Sequence, residues 1–444
     1  MINSIINAFK NPEIRKRLIF TIICIVIIRI GSMIPVPGIS IEQFGAWLSQ
    51  ANLELGFLDT LTGGSFSQMS IFALSISPYI NASIIMQLLT IAIPRLEEIQ
   101  KDGEDGRRRI GKYTRILTIA LAFLEGGAMA YSFSVQNSGI INTDAFTGVM
   151  LISFGFTAGT SFLMWMGENI SERGVGNGIS VILLVNIISR LPQDLDILYT
   201  KFVSGASSLI VGIMSAIIII AILVGMVVLI VLLQDAERRI PVQYSKKVSG
   251  RGMVGGASSN IPLKVNTSGV IPVIFAMSLM QFPIIISSFF GATASRTGFW
   301  NKVLYMLNMQ NWFDITDWGE FKYTVGALIY ILLIVFFAKF YTAVTFNPIE
   351  VSNNLKKNGG YCPGIRPGRP TTDYLTDILD KIVIIGAIAL CIVAILPLVF
   401  TGVFQVSVGF AATSLIIVVG VILETMKSIE AMMAVHHYKG FLDK

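Results

Sequence analysis

The chain has 444 residues, of which 53% are hydrophobic and only 14% charged, with a formal net charge of +6. Packed as soluble domains it would expose far more apolar surface than soluble proteins carry, so the composition excludes a soluble enzyme or binding module and points to the membrane. Three cysteines without paired spacing suggest neither a disulfide framework nor a zinc site, and the only histidines, His436 and His437, are adjacent near the carboxyl end, where a solvated tail is the default reading.

In chain order, the first apolar stretch follows Lys10, Arg15, Lys16 and Arg17 and runs to Pro35 without a small-residue cleavage site, so it reads as a retained helix and not as a signal peptide. Charge-free runs from Thr60 to Pro94, Phe202 to Gln234, Val265 to Ser295 and Ile382 to Leu423 exceed the roughly 20 residues that cross about 30 Å of hydrocarbon. The last run must hold two helices, with Pro397 and Gly402 marking the turn. Ten spans fit best, near 18–34, 70–93, 116–135, 146–166, 178–190, 207–233, 269–289, 323–345, 382–400 and 406–423.

With these limits, Lys and Arg crowd every second connection. Of the 33, 26 lie at the amino terminus, in 94–115, 167–177, 234–268 and 346–381, and in the carboxyl tail. Short cytoplasmic loops retain basic residues, so both termini and the basic connections are expected to be cytoplasmic.

Ion-coupled carriers place ionisable groups at mid-membrane, where they are expensive and functional. Here only Glu125 stands well inside a span, beside Gly126 and Gly127, with Arg29 and Lys339 close to span ends. A hydrogen-bonded structural carboxylate is the simpler reading of Glu125. No phosphate-binding loop, HExxH motif or Ser/His/Asp set is present, so no catalytic residue, metal ligand or cofactor is expected.

The spans are disrupted in matching places. The second opens with Gly63, Gly64, Ser65, Ser67 and Ser70 and breaks again at Ser77 and Pro78; the seventh carries Pro262, Gly269 and Pro272 near its start. Non-helical backbone at membrane depth survives only where protein or water shields it, so a short re-entrant helix before the second span is expected. If the ten spans are two halves of five, the second and seventh correspond, and paired broken spans point to a central pathway between inverted repeats. Two Pro-kinked helices with no pathway fit the same pattern. Ile80 and Ile84 share one helix face, as do Leu183 and Ile187 on the Gly-rich fifth span, although lipid-facing aliphatics look identical in sequence.

Seven runs, in order along the chain, carry a family resemblance: Ile34-Pro-Val-Pro-Gly38, Ser70-Ile-Phe-Ala-Leu74, Pro78-Tyr-Ile-Asn-Ala-Ser-Ile84, Gly167-Glu-Asn-Ile-Ser-Glu-Arg-Gly-Val-Gly-Asn-Gly-Ile-Ser180, Pro262-Leu-Lys-Val-Asn266, Phe346-Asn-Pro348 and Pro363-Gly-Ile-Arg-Pro-Gly368. Together they resemble the SecY family of protein-conducting channel subunits. The resemblance implies an all-α polytopic membrane protein, ten transmembrane helices in two pseudo-symmetric inverted halves of five, with a re-entrant plug helix. The N-terminal half would span 1–190, an external hinge 191–206, the C-terminal half 207–425 and a cytoplasmic tail 426–444.

The resemblance also implies the site. The plug maps to about Leu61 to Phe72, including Gly63, Gly64, Ser65, Phe66, Ser67 and Ser70, and the pore ring to Ile80, Ile84, Leu183, Ile187, Ile271, Ile274 and Ile417. The lateral gate would open between the second and third spans and the seventh and eighth, with Gln87 and Asn266 near the seam. The long basic connections, with Arg238, Arg239, Lys246, Lys247, Lys356, Lys357, Arg366 and Arg369, would dock the ribosome, through RNA, or the motor ATPase SecA. Implied partners are the small membrane subunits SecE and SecG, signal peptides and unfolded precursors, and the phospholipid bilayer. The expected function is passage of unfolded polypeptide across the bacterial plasma membrane with lateral release of apolar segments, without chemistry. A secondary transporter on inverted repeats is the alternative, disfavoured by the scarcity of intramembrane charge, and a pore-less scaffold or insertase survives only if the apolar ring faces lipid.

Overall fold

The computed structural model describes residues 9–50, 59, 62–136, 139–141, 145–204, 209–244, 247–249, 252–254, 258–289, 298–308, 312, 324–404 and 414–442. Helices stand at all ten expected places: α1 (Pro12–Gly31), α3 (Ser77–Ala92), α5 (Glu104–Gln136), α6 (Ala145–Arg173), α7 (Gly178–Leu198), α8 (Leu209–Asp235), α9 (Ile271–Phe289), α11 (Val325–Thr345), α13 (Arg369–Phe404) and α14 (Leu415–Leu442). Among them run the shorter α2 (Ile41–Gln50), α4 (Pro94–Lys101), α10 (Phe299–Leu307) and α12 (Pro348–Lys357). By length and composition, five of the described helices are apolar enough to cross a membrane, and a sixth span follows if α3 and α4, bent by 101° at their junction, count as one.

The caps explain several starts. Asn11 accepts from the Glu13 amide and Pro12 opens α1, Asn177 accepts from the Ile179 amide at the head of α7, and Asn347 accepts from the Ile349 and Glu350 amides before Pro348 of α12. α8 is apolar all round and largely exposed, with Ile210, Ile213, Met214, Ile217, Ile218 and Ile220 uncovered, as a lipid-facing helix requires.

Three differences from the sequence reading have physical causes. The fifth span does not stop near residue 190: α7 runs through Pro192 to Leu198 and continues as a π-helical turn, Tyr199–Ser204. α13 begins at Arg369, well before the apolar run, because amphipathic turns continue the helix into the folded unit of the basic connections. Residues 63–76 form successive turns and not a continuous helix; Gly63 and Gly64 take positive φ, as do Met69 (47°) and Ser75 (51°), and each of these interrupts helical bonding.

The long connections also fold. β1 (Glu237–Tyr244) pairs antiparallel with β4 (Ser258–Lys264), and on its other edge with β5 (Gly360–Tyr361) through Gln243 opposite Tyr361 and Tyr244 opposite Gly360. A second hairpin joins β2 (Lys247–Ser249) to β3 (Gly252–Val254). The three-stranded sheet thereby merges the two basic connections into one unit, over a core of Ile240, Val242, Leu263, Leu355, Cys362 and Leu375.

Candidate pore and outer plug

The site lies along α3 and α7. A cavity of about 850 Å³ is lined by Ser83 and Gln87 of α3, Ile179 and Ser180 of α7, and Gln234, Lys264, Thr345 and Lys427, which mark the ends of spans that lead into the basic connections. Ile80, Leu183, Ile271 and Ile274 line the same cavity. Past them, Ile80, Ile84, Leu183, Ile187 and Ile417 are buried in a single apolar cluster, with Ile271 and Ile274 partly buried against it. All seven expected ring residues thus belong to this cluster or pack against it.

The 62–76 segment packs against the C-terminal part of α7. Asn186 donates to the Ser75 hydroxyl at 3.0 Å, Ser189 donates to the Gly63 carbonyl at 3.2 Å, and Arg190 makes an ion pair with Asp59. Arg29 of α1 donates to the same Gly63 carbonyl at 2.9 Å. Read from its amino end, α7 lines the cavity with Ile179, Ser180 and Leu183, carries the expected ring positions 183 and 187 with Asn186 bonded to Ser75 between them, and ends on Ser189 and Arg190, which bond Gly63 and Asp59. α3 follows directly on the 62–76 segment and carries Ile80 and Ile84 before Gln87.

The segment is tightly packed. Ser65, Phe66, Met69, Ser70, Phe72 and Ala73 are buried, Phe66 meets Phe44 edge-on at 5.9 Å, and Phe72 stacks on Phe162. Gly63 is the point of closest approach: with φ of +66°, a Cβ there would stand 2.8 Å from the Asn186 Cα and 2.7 Å from the Ser189 hydroxyl. Only glycine fits. Gly159 of α6 admits the Ile71 carbonyl in the same way.

The two expected gate residues do not bond each other. Gln87 donates to Ser83 at 3.4 Å, leaving its carbonyl oxygen buried without a partner, whereas Asn266 is occupied locally by the Gly269 carbonyl at 3.0 Å. Both line the cavity. α9 packs against α3 and α5, so the expected seam is closed here. Glu125 accepts from Asn81 at 3.1 Å and is buried between α3 and α5, a structural carboxylate as expected.

At the basic connections, Arg238 and Arg239 on β1, Lys356 and Lys357 at the end of α12, and Arg366 and Arg369 are all exposed. Lys246 lies outside the described residues, and of Lys247 only the backbone in β2 is described. The Arg366 tip is a fixed loop: Gly364 and Gly368 take positive φ, Thr371 donates to the Arg366 carbonyl at 2.8 Å, and Ser352 donates to that of Gly368 at 2.9 Å. Beneath it the Cys362 thiol is buried, which pushes its pKa up and leaves it a packing group. Among the described residues no cluster of potential metal ligands occurs.

The family model for SecY matches residues 70–426. The chain belongs to the SecY family. Protein translocase subunit SecY of Halalkalibacterium halodurans is 40% identical over 450 residues, covering all of both chains; that of Bacillus subtilis is 40% identical over 448 residues, again covering both fully. Among solved structures, one described as a protein-conducting channel aligns with a TM-score of 0.63 at 17% identity, covering 94% of this chain and 92% of that one. Sec61 in the canine ribosome-channel complex from the endoplasmic reticulum aligns with a TM-score of 0.58 at 16% identity over 94% and 92%. SecY membership makes the chain a multi-pass membrane subunit of a protein translocase, a channel component and not an enzyme.

Proposed function

We propose that this SecY-family chain is the pore-forming centre of a channel in the bacterial plasma membrane, with both termini cytoplasmic, and that unfolded polypeptide passes from the cavity through the aliphatic ring and past the displaced outer segment. The observation that carries this reading is the ordering of cavity, ring and plug along α7. An extended chain in hydrocarbon would leave every peptide group unsatisfied at several kcal/mol each, so it needs a wet passage. Aliphatic side chains close around any sequence because they make no directional bonds, and an empty aliphatic constriction resists wetting. The seam between α3 and α5 on one side and α9 and α11 on the other is the exit for apolar segments, driven into lipid at about 25 cal/mol per Å² of apolar surface.

The sheet-bound unit carrying Arg238, Arg239, Lys356, Lys357, Arg366 and Arg369 is the docking face for the SecA motor or the ribosome, and SecE and SecG are the small membrane partners. RNA contact there would be mainly electrostatic and would weaken with salt. The test is reconstitution with those subunits, the motor and ATP: an unfolded precursor should become protease-protected inside vesicles. Solute accumulation driven by an ion gradient, without precursor protection, would instead favour a secondary transporter.

A further inference from the structure

The described residues of the outer segment, 59 and 62–76, make several polar contacts to other parts of the chain, and all of them end in the N-terminal half. Asp59 pairs with Arg190, the Gly63 carbonyl accepts from Arg29 and Ser189, Ser75 accepts from Asn186, and the backbone exchanges bonds with Ile34 and Val36. Parting the halves at the seam would break none of these contacts. The segment would travel with the N-terminal half and still stand across the path, so clearing it takes a second event.

We propose that the Asp59–Arg190 ion pair, together with the two bonds on the Gly63 carbonyl, is a latch that tethers the plug to α7 and sets how apolar a signal segment must be to open the channel. The inference rests on the plug reading above. Asp59 is a suitable element for a latch because it organises the segment it holds: its Oδ1 accepts the Ser67 amide at 2.9 Å, and its carbonyl accepts the Gly64 amide and the Thr62 hydroxyl. Its side chain is 7% exposed, so loss of Arg190 would leave a carboxylate withdrawn from water without its counter-charge. The segment is also held in backbone conformations that Met69 and Ser75 disfavour, which biases it to relax once released. The trigger lies on the same helix. Leu183 and Ile187 belong to the ring and Asn186, Ser189 and Arg190 to the latch, so a segment that spreads the ring must displace the helix that holds the plug.

The test uses the reconstituted channel complex carrying Ser67→Cys, with a membrane-impermeant maleimide on the outer face. In the otherwise unaltered channel, labelling that fails to rise when a precursor is arrested inside would remove the plug reading itself, independently of the latch. If labelling does rise, the latch is tested at rest, without precursor. Arg190→Gln should raise resting labelling about tenfold, while Arg190→Lys, which keeps the charge, stays within about twofold of the parent. Adding Asp59→Asn to Arg190→Gln should raise labelling no further and should lower it in part, because the unpaired buried charge is then gone. Precursors with a weakened signal segment should cross severalfold faster through the Arg190→Gln channel. Cysteines placed on α3 and α9 across the seam should form their disulfide at the parental rate at rest. Resting labelling unchanged in Arg190→Gln overturns the latch, as does seam cross-linking that falls in step with it. If Arg190→Gln reduces the folded yield, Arg190→Lys decides: labelling raised about tenfold there too would show that charge pairing is not what holds the segment.

Discussion

Gly63 is the residue at which the outer segment comes closest to α7. Its positive φ and its approach to the backbone of Asn186 leave no room for a side chain. Gly63→Val should therefore push the segment off α7, at a cost of about 1–2 kcal/mol for the left-handed backbone alone plus the overlap with α7. The expected readout is resting ion conductance above the parental level in planar bilayers, with the protein still folded. Ile187 makes a second case. It is fully buried in the cluster that holds the ring, so Ile187→Asn places an amide where no partner waits, at about 1–3 kcal/mol against the closed state. Conductance at rest should rise and discrimination against defective signal segments should loosen. Unchanged conductance with poor insertion would mean that residue 187 packs a core and seals nothing. Single residues also mark the limit of sequence reading. The i, i+4 pairs Ile80/Ile84 and Leu183/Ile187 were visible as helix faces, but nothing in the one-dimensional pattern separates a ring from a lipid-facing stripe. Asp59 and Arg190, 131 residues apart, gave no signal of pairing.

Elements were more legible where burial in lipid dictates them. Long charge-free runs and the alternation of basic connections gave the helices their places, because the hydrocarbon imposes one length and one sign rule on every span. Elements that owe their form to tertiary contacts were not legible. In the sheet of β1, β4 and β5, the strand β5 joins β1 from more than a hundred residues away and is two residues long, too short for any periodicity. The turns of residues 63–76 were expected as a helix, since Gly and Ser show where regular structure fails but not what replaces it. The merged sheet has a functional consequence: Arg238, Arg239 and Arg366 stand on one folded unit, so the two basic connections should act together. Arg366→Glu should lower motor-driven transport about tenfold by turning an attractive contact repulsive, with normal insertion of the protein itself. The check is precursor protection in vesicles supplied with SecA and ATP. Transport at the parental rate would detach the loop tip from docking. Deleting residues 62–72 should leave a folded protein with a leakier closed state, because α3 keeps its own helix and packing from Ser77 onward.

Under the proposed function, one aliphatic ring in the whole molecule separates the cavity on the basic side from the plug on the other, along the path of the translocated chain. Resistance to water and ions comes from the ring's apolar packing and the plug's close fit, and both must yield to a polypeptide without a membrane leak. The decisive measurement is site-specific cross-linking of an arrested precursor bearing cysteines along its length. Channels carry a single cysteine at Ile80, Ile187, Ile274 or Ile417, or at Ile210 or Leu332, which are 75% and 67% exposed on the outside of the bundle. Disulfides should form at the four ring positions with the same stretch of precursor and be absent at Ile210 and Leu332. Equal cross-linking at the ring and at the exposed positions, or cross-links at Ile210 and Leu332 alone, would place the chain outside the ring and contradict the path.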